Sequence, residues 1–412
     1  MHRPLRAWFG AGDMISSEAT RRASPAVVVG ICFAVAALEG YDIQAFGVAA
    51  PKIVAELSLD AGQMGWAASV AMLGLVIGAF IGGWLADRVG RKPVLLVSTA
   101  MFGVFSAVTA LSPNYDALIL ARLATGLGFG GAMPNMIAIA TEISAPKRRA
   151  AAVTTMFCGM PAGGSAVALI AGMAGDALDW RAIFYLGGLL PLLLVPVIYF
   201  VMPETKPKHD PTADRRAGYA LFGEGRGPAS VVLWLVVMLT LAVLYLMLNW
   251  LPTLVVEKGL TAADGAMASL SFNLTSIVGA LFVGFLVDKV GFRWPLTATY
   301  LLLAGGMLAL AAAQGRGPIL ALAGLAGFMV LGAQYALYAL APMLYPPHVR
   351  AFGAGSAVAV GRFGSIAGPL VAGQFRQSGL GPGEVFAAMT PAVLAAAAAV
   401  FALSFLARPH ED

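Results

Sequence analysis

Gly83-Trp84-Leu85-Ala86-Asp87-Arg88-Val89-Gly90-Arg91-Lys92 is a short charged interruption between two long apolar runs. It returns 201 residues later as Gly284-Phe285-Leu286-Val287-Asp288-Lys289-Val290-Gly291-Phe292-Arg293. Arg149 and Arg350, each opening another apolar run, keep the same offset. Apolar bias alone would not hold such a register, so the chain reads as an internal repeat of two halves. The longest polar stretch, Pro203 to Gly227, lies between them and reads as a linker.

Working outward from this loop, runs of about 20 mostly apolar residues recur along the chain, each long enough as a helix to cross roughly 30 Å of hydrocarbon. Twelve such spans are expected, the first over Pro25 to Val48, the fifth over Arg149 to Gly172 and the eleventh over Ala351 to Gln374. The fold class is therefore an all-α membrane protein of twelve transmembrane helices in two pseudo-symmetric six-helix bundles. The expected organisation is a tail over 1–24, a bundle over 25–202, a cytoplasmic linker over 203–229 and a second bundle over 230–412 ending in a short tail. Arg21 and Arg22 precede a run too long for a signal-peptide core, so the first span is expected to be retained.

Composition agrees. Of 412 residues, 59% are apolar and only 11% are Asp, Glu, Lys or Arg, against about 25% charged in an ordinary soluble domain. The mean hydropathy is +0.82. These values exclude a cytosolic enzyme, a nucleic-acid binder and a disordered hub. The net charge of +5 is a topology signal: with both termini cytoplasmic, 19 of the 26 Lys and Arg residues fall inside. A multi-pass membrane protein follows, with the lipid bilayer and no nucleic acid as partner; the bacterial inner (plasma) membrane is the expected location. Cys32 and Cys158 sit in apolar runs and the four histidines lie in polar termini or connections, so no metal site, cofactor or catalytic residue is expected.

Intramembrane ionisable residues carry the functional signal, since a charge at the bilayer centre costs about 2.5 to 3.5 kcal/mol even on the most lenient scale. Four stand clear: Glu39 and Asp42 in the first span, Arg122 in the fourth and Arg362 in the eleventh. Glu39 and Asp42 are three residues apart and share a helix face, at a depth similar to that of Arg122. Glu39 and Asp42 are expected to carry a coupling proton, with Arg122 tuning them. A buried ion pair tying the first and fourth spans together would account for the same residues. Arg362 has no carboxylate at matching depth in its own half, so it calls for an anion: a bound carboxylate or an acid of the other half. A structural tie to backbone carbonyls is the alternative. Gln44, Tyr245, Asn249, Asn273, Tyr335 and Tyr338 are candidates to complete a pocket with stacking surface and donors. The sequence holds no Gly-Lys-Ser or Gly-Lys-Thr, so no Walker loop supplies energy. A gradient must, and protons are the obvious ion because buried carboxyls can take up and release them. Sodium stays open.

The stretch Gly83 to Lys92 resembles the signature loop of the major facilitator superfamily, with further matches in Arg122-Leu-Ala-Thr-Gly126-Leu-Gly128-Phe-Gly130 and Pro203-Glu204-Thr205-Lys206. Glu39-Gly40-Tyr41-Asp42-Ile43-Gln44 and Gly131-Ala132-Met133-Pro134-Asn135 resemble the aromatic acid:proton symporter family, most of all its hydroxyphenylpropionate transporter branch. Glu39 stands where that family commonly carries Asp. The resemblance implies a monomeric, proton-coupled secondary transporter that imports an aromatic carboxylate of hydroxyphenylpropionate or hydroxybenzoate type by alternating access. It also implies a gate in which Asp87 faces the helix starting near Arg350, and by the repeat Asp288 faces the start near Arg149, with Gly83, Arg88, Gly90 and Arg91 completing the loop. A proton-coupled efflux antiporter of small organic molecules, a symporter of a non-aromatic acid, and a membrane-embedded enzyme or receptor are the rivals. Against the enzyme stands the lack of any intramembrane His or nucleophile-base pair.

Overall fold

The computed structural model describes residues 24–145, 148–204, 221–345 and 350–406. Among them are twelve helices long and apolar enough to cross a membrane. We number them α1 (Pro25–Leu57), α2 (Ala61–Val89), α3 (Arg91–Ala110), α4 (Tyr115–Ile143), α5 (two segments, Arg149–Phe157 and Gly159–Ala174) and α6 (Trp180–Val201) in the first half. The second half holds α7 (Gly227–Glu257), α8 (Ala262–Val290), α9 (Arg293–Ala312), α10 (Arg316–Leu340), α11 (Arg350–Gln377) and α12 (two segments, Pro382–Ala388 and Thr390–Leu406). The expected tail and most of the expected linker lie outside the described residues.

The repeat is visible in how the helices begin. An offset of 201 relates both ends of α2 to those of α8, Tyr115 of α4 to Arg316 of α10, and Arg149 of α5 to Arg350 of α11. It also relates the caps. Asp60 and Gln63 exchange side-chain and backbone hydrogen bonds in a capping box at the start of α2, and Thr261 and Asp264 do so at the start of α8. Gly90 and Gly291, after α2 and α8, have φ of +102° and +80°, which a side-chain-bearing residue rarely adopts.

Large apolar side chains such as Phe80, Phe200 and Phe282 point outward from the bundle, as expected where the surrounding solvent is lipid. Within each half, helices approach through glycine. A Cβ on Gly74 or Gly78 would overlap the carbonyls of Leu123 and Leu127, and one on Gly126 that of Ala71, which is how α2 and α4 come into backbone contact. The first helix runs beyond its expected end at Val48 to Leu57, passing through Pro51 and stopping at Ser58 in the left-handed conformation. The extension is stable because Lys52 donates to the carbonyls of Gly175 and Leu178, at 3.1 and 2.6 Å, and Glu56 pairs with Arg181 at 2.6 Å.

The two halves meet at the end away from the Gly83–Lys92 loop. Ser69 Oγ of α2 donates to the Ile366 carbonyl of α11 at 2.8 Å. A Cβ on Gly373 would lie 2.7 Å from the Ala61 carbonyl. Toward the loop end the halves part, leaving a vestibule between α4–α5 and α8–α10 lined by Thr141, Arg149, Thr154, Ile277, Leu281 and Pro342 among others.

Candidate functional site

A cavity lined by residues of both halves lies at the centre of the bundle. Phe157, Tyr335 and Tyr338 line both this cavity and the vestibule, so the cavity lies next to the vestibule with these three rings between them. Its walls obey the repeat: Gln44 and Tyr245, Met133 and Gln334, and Pro161 and Arg362 are pairs 201 residues apart, and all six line it. The symmetry is of position, not of chemistry. The first half supplies an amide, a thioether and a proline; the second supplies a phenol, an amide and a guanidinium.

Arg362 is the one basic side chain among the lining residues, and it is 8% exposed. Its Nη1 donates to the Tyr245 hydroxyl at 3.0 Å and its Nη2 to the sulfur of Met133, also at 3.0 Å. A thioether is a weak acceptor, so half of the guanidinium fork faces the cavity without a strong partner. Among the described residues no carboxylate forms an ion pair with Arg362, which leaves room for an anion in the bidentate geometry such a fork favours.

Glu39 lies one turn before Ile43, which lines the cavity, but is not itself a lining residue, and it is 1% exposed. Neither of its carboxyl oxygens meets a hydrogen-bond partner. It lies within electrostatic reach of Arg362 and of Asp42. A carboxylate buried this way is expensive unless an opposite charge or a proton compensates it.

Asp42, three residues on, turns away from the cavity. Its Oδ2 lies 2.6 Å from Arg122 Nη1 and its Oδ1 accepts from Ser106 Oγ at 2.5 Å, joining α1, α4 and α3. The rings of Phe46 and Phe184 stand 5.1 and 5.9 Å from the Arg122 guanidinium carbon, a contact that favours a desolvated cation. Neither Asp42 nor Arg122 lines the cavity. The shared face expected for Glu39 and Asp42 is thus divided: 300° of helical rotation over three residues leaves 60° between them, enough to send one toward Arg362 and the other toward Arg122.

Of the expected pocket residues, Gln44, Tyr245, Asn273, Tyr335 and Tyr338 line the cavity. Asn249 does not; its amide donates to the Tyr245 carbonyl of its own helix at 2.8 Å. Gln44 and Asn273 are engaged in joining the halves: Gln44 Nε2 donates to the Leu248 carbonyl at 3.0 Å, and Asn273 Nδ2 to Gln44 Oε1 at 3.2 Å and the Ser269 carbonyl at 2.8 Å. Sequence reasoning missed Met133, Gln334, Phe157 and Ser106. The repeat offset could have found Gln334 and Met133, because they are equivalent positions of α10 and α4. Ser106 could have been found as a hydroxyl in an otherwise apolar span.

At the loop end, Glu204 closes the turn that Gly90 opens. The Arg91 amide donates to its Oε1 at 2.9 Å, which puts an acid at the N-terminus of α3. A Cβ on Gly90 would lie 2.5 Å from that oxygen. Arg91 also forms an ion pair with Glu142, and the Arg88 guanidinium lies 3.7 Å over the Trp84 ring. The space beside Gly83 is open. Among the described residues no ion pair or hydrogen bond brings Asp87 to the start of α11 or Asp288 to the start of α5, as the parted loop end requires. Arg149 lines the vestibule, and Arg350 Nε lies 3.5 Å from the Tyr345 carbonyl.

Comparison with known proteins adds to this geometry. Residues 32–272 match the family model of the Major Facilitator Superfamily. The chain is 41% identical over 380 residues to the 3-(3-hydroxy-phenyl)propionate transporter of Escherichia coli (strain K12), which covers 92% of this chain and 93% of that protein. It is 31% identical to the 4-hydroxybenzoate transporter PcaK of Pseudomonas aeruginosa, over 90% of this chain and 91% of that one. Among solved structures, a bacterial homolog of the human lysosomal transporter Spinster in an inward-facing, unoccupied conformation superposes with a TM-score of 0.74 at 18% identity, over 93% and 95% of the two chains. A D-xylose-proton symporter does so with 0.73 at 19%, over 92% and 96%. At these identities the structures share the fold.

Proposed function

This chain belongs to the major facilitator superfamily and is a membrane transporter, not an enzyme, and on that footing we propose that it imports an aromatic carboxylate together with protons by alternating access. The observation that carries the reading is the half-satisfied Arg362 guanidinium in an apolar and aromatic cavity. A carboxylate takes the fork while the ring packs between Tyr335, Tyr338 and the leucines of α7. The named cargoes of the two relatives, a hydroxyphenylpropionate and a hydroxybenzoate, have this chemistry.

Coupling follows from charge. Arg362 compensates Glu39 in the empty site. An anion arriving at Arg362 takes that compensation away, and Glu39 then carries a proton, so that the loaded site holds less net charge than either event alone would leave. Asp42 and Arg122 form the fixed pair that sets the electrostatic background for Glu39. The loop end faces the cytoplasm of a bacterial inner membrane and the chain works as a monomer, with Asp87 and Asp288 latching the loop end when it shuts.

The test is uptake of labelled 3-(3-hydroxyphenyl)propionate and 4-hydroxybenzoate into proteoliposomes, with and without an imposed inward proton gradient. Accumulation that follows the gradient is expected, and Glu39→Gln should retain exchange while losing accumulation. Flux indifferent to the gradient would remove the coupling. Cargo driven out by the same gradient would favour the antiporter.

A further inference from the structure

Three amides line the cavity, and two of them are committed. Gln44 and Asn273 bridge the halves through each other and through backbone carbonyls. The third, Gln334, is 2% exposed; the Tyr338 hydroxyl one turn on lies within its reach, but neither Nε2 nor Oε1 completes a well-aligned hydrogen bond. Folding does not bury an unpaired primary amide among leucines for packing alone, because Leu or Met would fill the same volume without desolvating two polar atoms. Its repeat equivalent, Met133, is such an apolar filler, and it touches Arg362.

The position of Gln334 is informative. It lies on α10, four residues before Tyr338, so the two share a helix face about one turn apart. Tyr338 in turn lies within electrostatic reach of Arg362. Helix α7 packs against both α10 and α11, so Gln334 and Arg362 approach one cavity from either side of it. An aromatic carboxylate held at Arg362 would share this cavity with Gln334.

We propose that Gln334 is the specificity-determining residue of this cavity, its amide exchanging hydrogen bonds with a hydroxyl on the ring of an aromatic carboxylate held at Arg362, an assignment that rests on the functional reading above. The amide presents an NH2 with two donors beside a carbonyl acceptor. A hydroxyl both accepts and donates, and so satisfies the two together. A second carboxylate would use only Nε2, and an ammonium only Oε1, leaving the other atom buried and unpaired.

The experiment measures the affinity of the full-length protein in detergent, and its uptake in proteoliposomes, for 3-(3-hydroxyphenyl)propionate, its 3-methoxy ether and unsubstituted 3-phenylpropionate. For the wild type, the hydroxylated acid should bind on the order of 10-fold to 100-fold more tightly than the unsubstituted one, with the ether between them because it accepts but cannot donate. In Gln334→Met and Gln334→Leu that preference should collapse to within about 3-fold, through loss of affinity for the hydroxylated acid while phenylpropionate uptake persists and reports an intact fold. Equal affinity of the wild type for the hydroxylated and unsubstituted acids, or a preference kept by either variant, would overturn the assignment of Gln334 while leaving aromatic acid transport standing. A wild-type protein that takes none of the three overturns the functional reading itself, and the role of Gln334 with it.

Discussion

Asp42 and Arg122 are joined at 2.6 Å in a fully buried pair that lies behind α1, out of contact with the cavity that Arg362 lines. Both charges are desolvated, and Asp42 is held on its other oxygen by Ser106. Removing one partner of such a pair strands the other. Asp42→Asn should therefore destabilise the protein by about 3–5 kcal/mol, and the double variant Asp42→Asn/Arg122→Gln should recover most of that loss. Thermal unfolding of the purified variants reads both. A single variant as stable as the wild type would show the pair to be structurally idle.

Arg362 offers a planar fork, and charge alone does not replace it. Arg362→Lys should weaken binding of an aromatic carboxylate on the order of 10-fold to 100-fold, because a lysine ammonium is a point donor without the bidentate match. Arg362→Ala should abolish binding measurable by calorimetry. Full affinity in the lysine variant would mean that the guanidinium serves the scaffold and not the cargo.

The latch can be followed through a native thiol. Cys158 sits at the break in α5 and lines the vestibule, whereas Cys32 is fully buried. If Asp87 holds the loop end shut in the alternate state, Asp87→Asn raises the fraction of molecules open at that end. The rate of Cys158 alkylation by a maleimide, followed by mass spectrometry, should then increase several-fold, with Cys32 unreactive. An unchanged rate would exclude Asp87 as a latch.

The contact between α2 and α4 depends on hydrogen in place of a side chain. Gly126→Val pushes two methyl groups against the Ala71 carbonyl, and the helices cannot separate without disturbing Gly74 and Gly78 beside them. A loss of about 1–3 kcal/mol is expected, read as a lower unfolding temperature. Gly83→Ala, where the neighbouring space is open, should leave that temperature unchanged.

The twelve spans, the two halves and the register between them were legible in sequence because a membrane helix must satisfy its backbone internally and face lipid, which writes each span as a run of apolar residues. The ionisable residues were legible for the same reason: Glu39, Asp42, Arg122 and Arg362 stand out against an apolar background. Gln44, Tyr245, Tyr335 and Tyr338 were recognisable as polar or aromatic groups in those runs. Asn249 was recognisable too, yet it turns back onto its own helix. Gln334 offered the same signal, a polar amide in an apolar run, and was passed over; Met133, an apolar residue, is marked as a wall residue only by its equivalence to Gln334 in the repeat.

The sequence alone determined that the chain crosses a membrane as two repeated bundles, with four ionisable side chains kept in a low-dielectric interior. Periodicity, length and charge are local properties, and they survive in one dimension. Only the tertiary structure decided which of those charges meet. It joined Asp42 to Arg122 and sent Glu39 toward Arg362. It also placed Gln334, with no well-aligned hydrogen bond, in the cavity that Arg362 lines. Those outcomes depend on helix rotation and on which helices pack together, and a turn of 60° within one helix is enough to exchange a buried ion pair for a binding surface.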